Sequence, residues 1–461
     1  MTRLFKLILL QPALVIWIAT CAILARITRW PRRIARRSPR IVRAPRPMSA
    51  LSYIRDADRA MGLKSDLAVT ELDRWSYPYV FRSEIDRLVD LSGRWPLLSR
   101  IRFFLGLMFH YDVLVTYYNA CFFVAGLLRL LQWPLLKLAG LRIVVVSYGS
   151  DVTLFDSPPT RFDWVGRRLI DYPPNGSPEE HDARIRRGIE DLTRWADFRI
   201  AGDHTLSPMV PEFDLVFKYF PIDCDNWPKT ARTSEGPPRI VHAPNHRHIK
   251  GTATLQEVCQ KLTGDDIPLE LQIVEGVPRN EVQALYAESD LLVEDLCSGA
   301  SGLNGFEFMA LGKPVLVFID APQLDDPAFD LPYVNTNIEN VEAVLRAVLQ
   351  VSELRSRLGE AGRRAVEEFQ SFLPIAEVWH RIYQHVCYHT PLDLDSTRHF
   401  APTRRSRPRT EDPMTEAFWP VDVTDLLADI RRAITGSDAR QPECDSDQHP
   451  ASSTILLEPL S

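Results

Sequence analysis

Ten short apolar runs, spaced by stretches of helical periodicity, constrain this 461-residue chain more than any other feature. The run at 143–146 is Ile-Val-Val-Val, which leaves no polar residue for a solvated face. A strand of that kind must be covered on both sides, as it is in a parallel sheet flanked by helices. In the first half, runs at 40–44, 67–70, 113–116, 142–147, 198–201 and 215–219 read as strands. Helical patterns fit 50–61, 97–110, 120–138 and 178–195. In the second half, strands at 239–243, 269–274, 291–294 and 314–318 alternate with helices at 252–262, 279–289, 305–311, 338–351 and 352–369. Such alternation predicts an α/β protein.

A Pro-containing exit at 220–227 and a Ser/Gly/Pro segment at 233–238 separate the halves. The expected domains are an anchor and basic segment at 1–39, a first α/β domain at 40–232, a second at 233–395, and a tail at 396–461. Within the tail, 403–409 is basic, 415–435 suits one helix, and the composition from 436 onward is that of disorder.

Charge is unevenly spread. Eleven of the 54 Lys/Arg and none of the 60 Asp/Glu fall in the first 50 residues, so the net −6 conceals a body of −17. That pattern excludes a uniformly basic nucleic-acid binder and predicts an anionic membrane surface as partner. Residues 7–25 are uncharged and mostly apolar. As a helix they span about 28 Å, close to the hydrocarbon core of roughly 30 Å. The cations after this run outnumber those before it, which puts the body on the cytoplasmic side of a cell inner membrane. Gln11-Pro12 leaves an interfacial helix as the alternative. A cleaved signal peptide fits less well, because the basic cluster follows the apolar run. The seven cysteines are scattered without paired spacing, which suits a reducing compartment.

Two loop-to-helix segments carry the candidate chemistry. In the first, the backbone of Ser301, Gly302, Leu303, Asn304 and Gly305 is placed to approach a phosphate at a helix N-terminus. Glu307 lies one turn on, within reach of a sugar attached to that phosphate. In the second, Arg247 and Lys250 precede a helix starting at Gly251-Thr252. Two cations there would stabilise a diphosphate leaving group; the bland reading is a solvated basic loop. His242, His246 and His248 lack metal-ligand spacing, and Asp223/Asp225 and Asp393/Asp395 do not follow a nucleotide-binding strand, so no metal and no resident cofactor is expected. The apolar helix at 119–138 reads as core, with a membrane-facing patch as the alternative.

The blocks His242-Ala-Pro through Lys250-Gly-Thr252, 274–281, 285–290 and 305–315 resemble the C-terminal domain of a GT-B glycosyltransferase. They look most like the retaining family-4-like enzymes that build cell-surface polysaccharides. The likeness is weaker at 146–151 and 221–223, and covers about residues 40–390. It implies two Rossmann-like domains facing a cleft, preceded here by the anchor helix. It also implies sugar transfer, with retention, from a nucleotide-sugar donor to a glycan or lipid-linked acceptor. Glu307 would hold the donor ribose, the loop amides its diphosphate, and Arg247 and Lys250 the leaving group. Asp151 would face the cleft, or else merely cap its own turn. Two positions depart from the pattern: Gly299 stands where a second glutamate is frequent, and Tyr148 where a histidine is expected. Glu294, Asp295 or Ser298 could replace the missing sugar contact. A nucleotide-sugar epimerase or hydrolase of the same fold, and a non-catalytic membrane-associated assembly partner, are the alternative readings.

Overall fold

The computed structural model describes residues 2–46, 48–70, 85–89, 91, 95–156, 162–320, 324–326, 328–329, 331–400, 417–418 and 421–435. The basic run at 403–409 and the segment from 436 onward lie outside them.

Two parallel sheets form. The first contains β1 (Arg40–Arg43), β2 (Lys64–Val69), β3 (Arg87–Leu88), β4 (Val113–Tyr117), β5 (Arg142–Val146), β6 (Phe198–Ala201) and β7 (Leu215–Val216). Their order is β3-β2-β1-β4-β5-β6-β7. The second contains β8 (Arg239–His242), β9 (Glu270–Ile273), β10 (Leu291–Asp295), β11 (Val315–Val317) and β12 (Val334–Asn335), ordered β12-β11-β10-β8-β9. These are the two common doubly wound orders, the first extended by one edge strand. The order in which successive strands are added reverses between β1 and β4 in one sheet and between β8 and β10 in the other. Crevices outside the carboxyl ends of the strands at such points are where doubly wound sheets bind ligands.

The all-apolar strands behave as their composition demands. Val144 and Val146 of β5 join one core with Ile41, Val113 and Val115. Ile143 and Val145 join another, on the opposite face, with Val42 and Leu114. Where the chain differs from expectation, a local reason is visible. The helix expected at 120–138 begins only at Gly126 (α4, Gly126–Leu138), because Ala125 is extended and Gly126 has φ +78°. Phe122 and Phe123 still fill the core, from an irregular segment held by the Phe122 N–H donating to the Gln132 side chain at 2.9 Å.

The N-terminal helix α1 (Thr2–Ile34) is longer than the apolar run and continues through Pro12 and Pro31. Gln11–Ile34 is long and apolar enough to cross a membrane. A stripe of Ile18, Ala22, Ala25 and Arg29 is nevertheless buried against α3 (Pro96–His110) and α4. Arg29 pairs with Asp112 at 3.1 Å and donates to the carbonyls of Met108, Tyr111 and Ala139 at the ends of those helices.

Two chain crossings between the domains lie among the described residues, and a third follows them, since Phe418, Val423, Leu426 and Ile430 are back in the core of the second domain. The first is the connection from β7 to β8. The second comes after Val366–Gln370, where the helix Phe372–Tyr388 leaves the second domain and packs on α2 (Ser49–Ala60) of the first. There Arg43 bonds both Asp58 and Tyr383 at 2.6 Å, all three buried, and Trp379 Nε1 donates to the Tyr219 carbonyl at 2.9 Å. The first two crossings are tied to each other: Ile222 N–H donates to the Gln370 carbonyl, and the Gln370 amide donates to the carbonyls of Lys218 and Phe220.

Candidate functional site

Both candidate loops leave the second sheet where its order reverses, one from β8 and one from β10. After β8 the chain makes one helical turn, α7 (Arg247–Lys250), and passes through Gly251 at φ +74° into α8 (Thr252–Gly264). A Cβ on Gly251 would stand 3.0 Å from Leu296 Cβ and 3.2 Å from Cys297 Sγ, so only glycine lets the loops approach this closely. His242 at the end of β8 is buried between them. Its Nδ1 lies 2.7 Å from the Val293 carbonyl and its Nε2 2.8 Å from Thr252 Oγ1. The carbonyl can only accept, so Nδ1 carries a proton. Burial lowers its pKa to about 4. Both ring nitrogens are therefore engaged in joining loop to strand.

The two cations assigned to phosphate each face an acid of their own domain. Lys250 Nζ lies 2.6 Å from Asp295 Oδ2. The other Asp295 oxygen accepts the N–H groups of Cys297 and Ser298 at 2.8 and 2.9 Å. Burial works against the Lys250 charge, but Asp295 and Glu294 outweigh it and raise its pKa. Arg247, half exposed, forks onto Glu275 with both oxygens.

The small-residue loop opens α10 (Leu303–Ala310) as expected, but its amides already hold an anion. Glu294 Oε1 accepts Gly302 N–H at 2.8 Å and Gly305 N–H at 3.3 Å, and Oε2 accepts Ser301 Oγ at 2.8 Å. Burial raises the pKa of Glu294, against these donors and Lys250. Leu303 and Asn304 are half-buried beside it, with the Asn304 amide 3.4 Å from the Ala243 carbonyl. A carboxylate thus lies where the helix N-terminus would attract a phosphate.

Glu307 is buried and reaches the other domain. Its Oε1 accepts the Tyr53 hydroxyl at 2.8 Å, and Trp227 Nε1 donates to the same hydroxyl at 3.0 Å. The missing glutamate at 299 also has a physical reason. Gly299 has φ +82°, and a Cβ there would stand 2.9 Å from Asp320 Cβ, close to Thr205 of the first domain. No side chain fits. Of its suggested replacements, Glu294 and Asp295 are engaged as described, and Ser298 Oγ accepts Trp164 Nε1 at 3.3 Å.

In the first domain, Asp151 follows β5 and turns its carboxylate onto backbone. It accepts N–H groups of Tyr148 and Gly149 at 3.0 Å and of Tyr118 at 3.3 Å. Burial pushes its pKa up to about 7, against the donors that hold it down. Tyr148 accepts from the Asn119 amide at 2.8 Å and packs edge-on to Tyr117. Asp223 likewise serves its own turn, accepting from Asp225 and Asn226 N–H. Among the described residues no group of three His, Cys, Asp or Glu could hold a metal.

A segment that sequence reading passed over covers one side of the cleft. Helix α5 (Trp164–Asp171) of the first domain lies against α7 of the second. Asp171 accepts Ile249 N–H at 2.9 Å and lies 2.8 Å from His248 Nδ1, while Arg167 donates to the His248 carbonyl. On the other side, His204 lies 2.9 Å from Asp326. Tyr53, Trp164 and Asp171 carried no local sequence signal, because their partners are more than 75 residues away.

No protein-family model and no curated protein sequence matches the chain. Among solved structures, sucrose-phosphate synthase from Thermosynechococcus elongatus is similar over 77% of this chain and 100% of its own, with TM-score 0.51 and 12% identity. HepE from Anabaena in complex with UDP covers 75% of this chain and 99% of its own, with TM-score 0.48 and 12% identity. At such identity the first likeness shows the fold alone, two doubly wound domains facing each other across a cleft.

Proposed function

We propose that the protein transfers a sugar from a nucleotide-activated donor to an acceptor. The observation carrying this reading is that Lys250, the α10 N-terminus and Glu307 converge at the reversal point of the second sheet, where Glu307 reaches Tyr53 of the first domain. The likeness to a sucrose-phosphate synthase fold supports it. A donor diphosphate would take the α10 amides from Glu294 and draw Lys250 from Asp295, exchanging carboxylate for phosphate at each. Glu307 would exchange the Tyr53 hydroxyl for ribose. The sugar would then meet an acceptor held by the first domain, with retention of configuration and with the leaving phosphate collecting the acceptor proton. A glycan or lipid-linked polysaccharide precursor at the cytoplasmic face of the inner membrane fits the basic N-terminal region. No resident metal is assigned.

One observation favours a second reading. Glu294, Asp295 and Glu275 neutralise the phosphate-binding groups internally, as they would in a non-catalytic partner that kept the fold. A thermal-shift panel of nucleoside diphosphates and their sugars separates the two: a shift with one base, lost in Lys250→Ala, supports transfer. As a single substitution, Glu307→Ala should raise the donor dissociation constant at least about tenfold, since a charged hydrogen bond contributes about 1.5–3 kcal/mol. Absence of any shift across the panel favours the non-catalytic reading.

A further inference from the structure

The helices α1, α3 and α4 share a basic, acid-free composition. The three helices hold ten Lys/Arg and no Asp or Glu, although acids number 60 of 461 residues overall. Opposite its buried stripe, α1 exposes Ile16, Trp17, Ile23, Ile27, Trp30 and Ile34, with Trp17 51% and Trp30 64% accessible. The first half of α1 adjoins the N-terminal ends of its two neighbours. Leu127 N–H donates to Gln11 at 3.1 Å, and Arg100 donates to the Phe122 carbonyl at 3.0 Å. Around that end Trp95, Leu98, Val124 and Leu130 are all more than half exposed. Arg26, Arg36, Arg37 and Arg102 are exposed on the same helices and the turn after α1. An apolar face of this extent marks a contact surface.

We infer that this face seats the protein on an anionic lipid bilayer with α1 lying in the plane of the membrane, held to the domain rather than crossing. The buried stripe lies inside the candidate span Gln11–Ile34. A crossing helix would strip Ile18, Ala22 and Ala25 from the core. It would also pull Arg29 off Asp112 and three carbonyls and carry that guanidinium into hydrocarbon. Lying flat keeps all of these contacts. It places the two tryptophans at headgroup depth, where their amphipathic rings are favoured, and sets cations against anionic lipid. The lack of acids argues for lipid over a second copy of the chain, whose matching face would carry the same positive sign.

This inference does not rest on sugar transfer. The full-length protein is floated with vesicles of phosphatidylcholine alone and with 30 mol% phosphatidylglycerol added. It should bind the anionic vesicles and largely ignore the neutral ones. Trp17→Asp with Trp30→Asp should reduce the bound fraction at least tenfold, with an unchanged unfolding temperature and unchanged nucleotide binding. In sealed membranes of expressing cells, an N-terminal tag should be cleaved by protease added on the side of the body, and alkaline carbonate should release the protein. A protected tag with carbonate resistance overturns the in-plane geometry. Equal binding to both vesicle types, or no flotation together with a dimer in solution, overturns the lipid partner.

Discussion

At the scale of single residues, the acids of the cleft decide what can bind. Glu294 competes with any phosphate for the amides of Gly302 and Gly305, so removing its charge should help an anionic ligand. Glu294→Gln is expected to tighten nucleoside diphosphate binding about tenfold in calorimetry, on the usual strength of a charged hydrogen bond. Weaker binding would mean that Glu294 organises the loop for the ligand instead. His242 gives a pH signature. Its folded pKa of about 4 lies below the ordinary value near 6.5, so its stabilising contribution is full above pH 6.5 and lost as pH falls towards 4. By pH 5 the loss is about 2 kcal/mol, from 1.36 kcal/mol per unit. Asp151 runs the other way, its contribution present below the ordinary carboxyl value and lost as pH rises through about 7. Urea unfolding of wild type and His242→Gln at pH 7.5 and pH 5 isolates the imidazole. A pH-independent difference between them would refute its buried neutral state.

Among the elements, α1 depends most on one side chain. Arg29→Ala removes a buried ion pair and leaves three helix-end carbonyls without their guanidinium, a change of about 3–5 kcal/mol. The expected result is early proteolysis between α1 and β1 while the two sheets remain folded, followed by limited trypsin digestion and mass spectrometry. Elements of this fold differ in how far sequence discloses them. The strands around Ile143–Val146 and the helix at 178–195, with its Ser177/Glu180 capping box, are written locally and form where expected. The start of α4 was not legible, because Phe122 and Phe123 are apolar for a loop buried by tertiary packing, not for a helix. The same distinction holds at the site. The Gly251 and α10 turns announce themselves through glycine and helix chemistry, whereas the Tyr53–Glu307 and Asp171–Ile249 contacts exist only once distant segments meet.

For the whole molecule, α5 and the Tyr53–Glu307 bond keep the two domains together over the crevice of the second sheet. Asp171→Ala removes an acceptor from the start of α7, a cap worth about 1 kcal/mol. That shifts the ratio of open to closed forms about fivefold and should speed nucleotide association by a similar factor in stopped-flow measurements. An unchanged rate would show that entry does not require this contact to part. The tie between the first two crossings has its own consequence. Because the Gln370 side chain and carbonyl bind the segment at Lys218–Ile222, these two passages of the chain lie on one short line. A swing about that line, as a page turns on its spine, leaves these bonds intact. Sliding, or drawing straight apart, would first have to break that line.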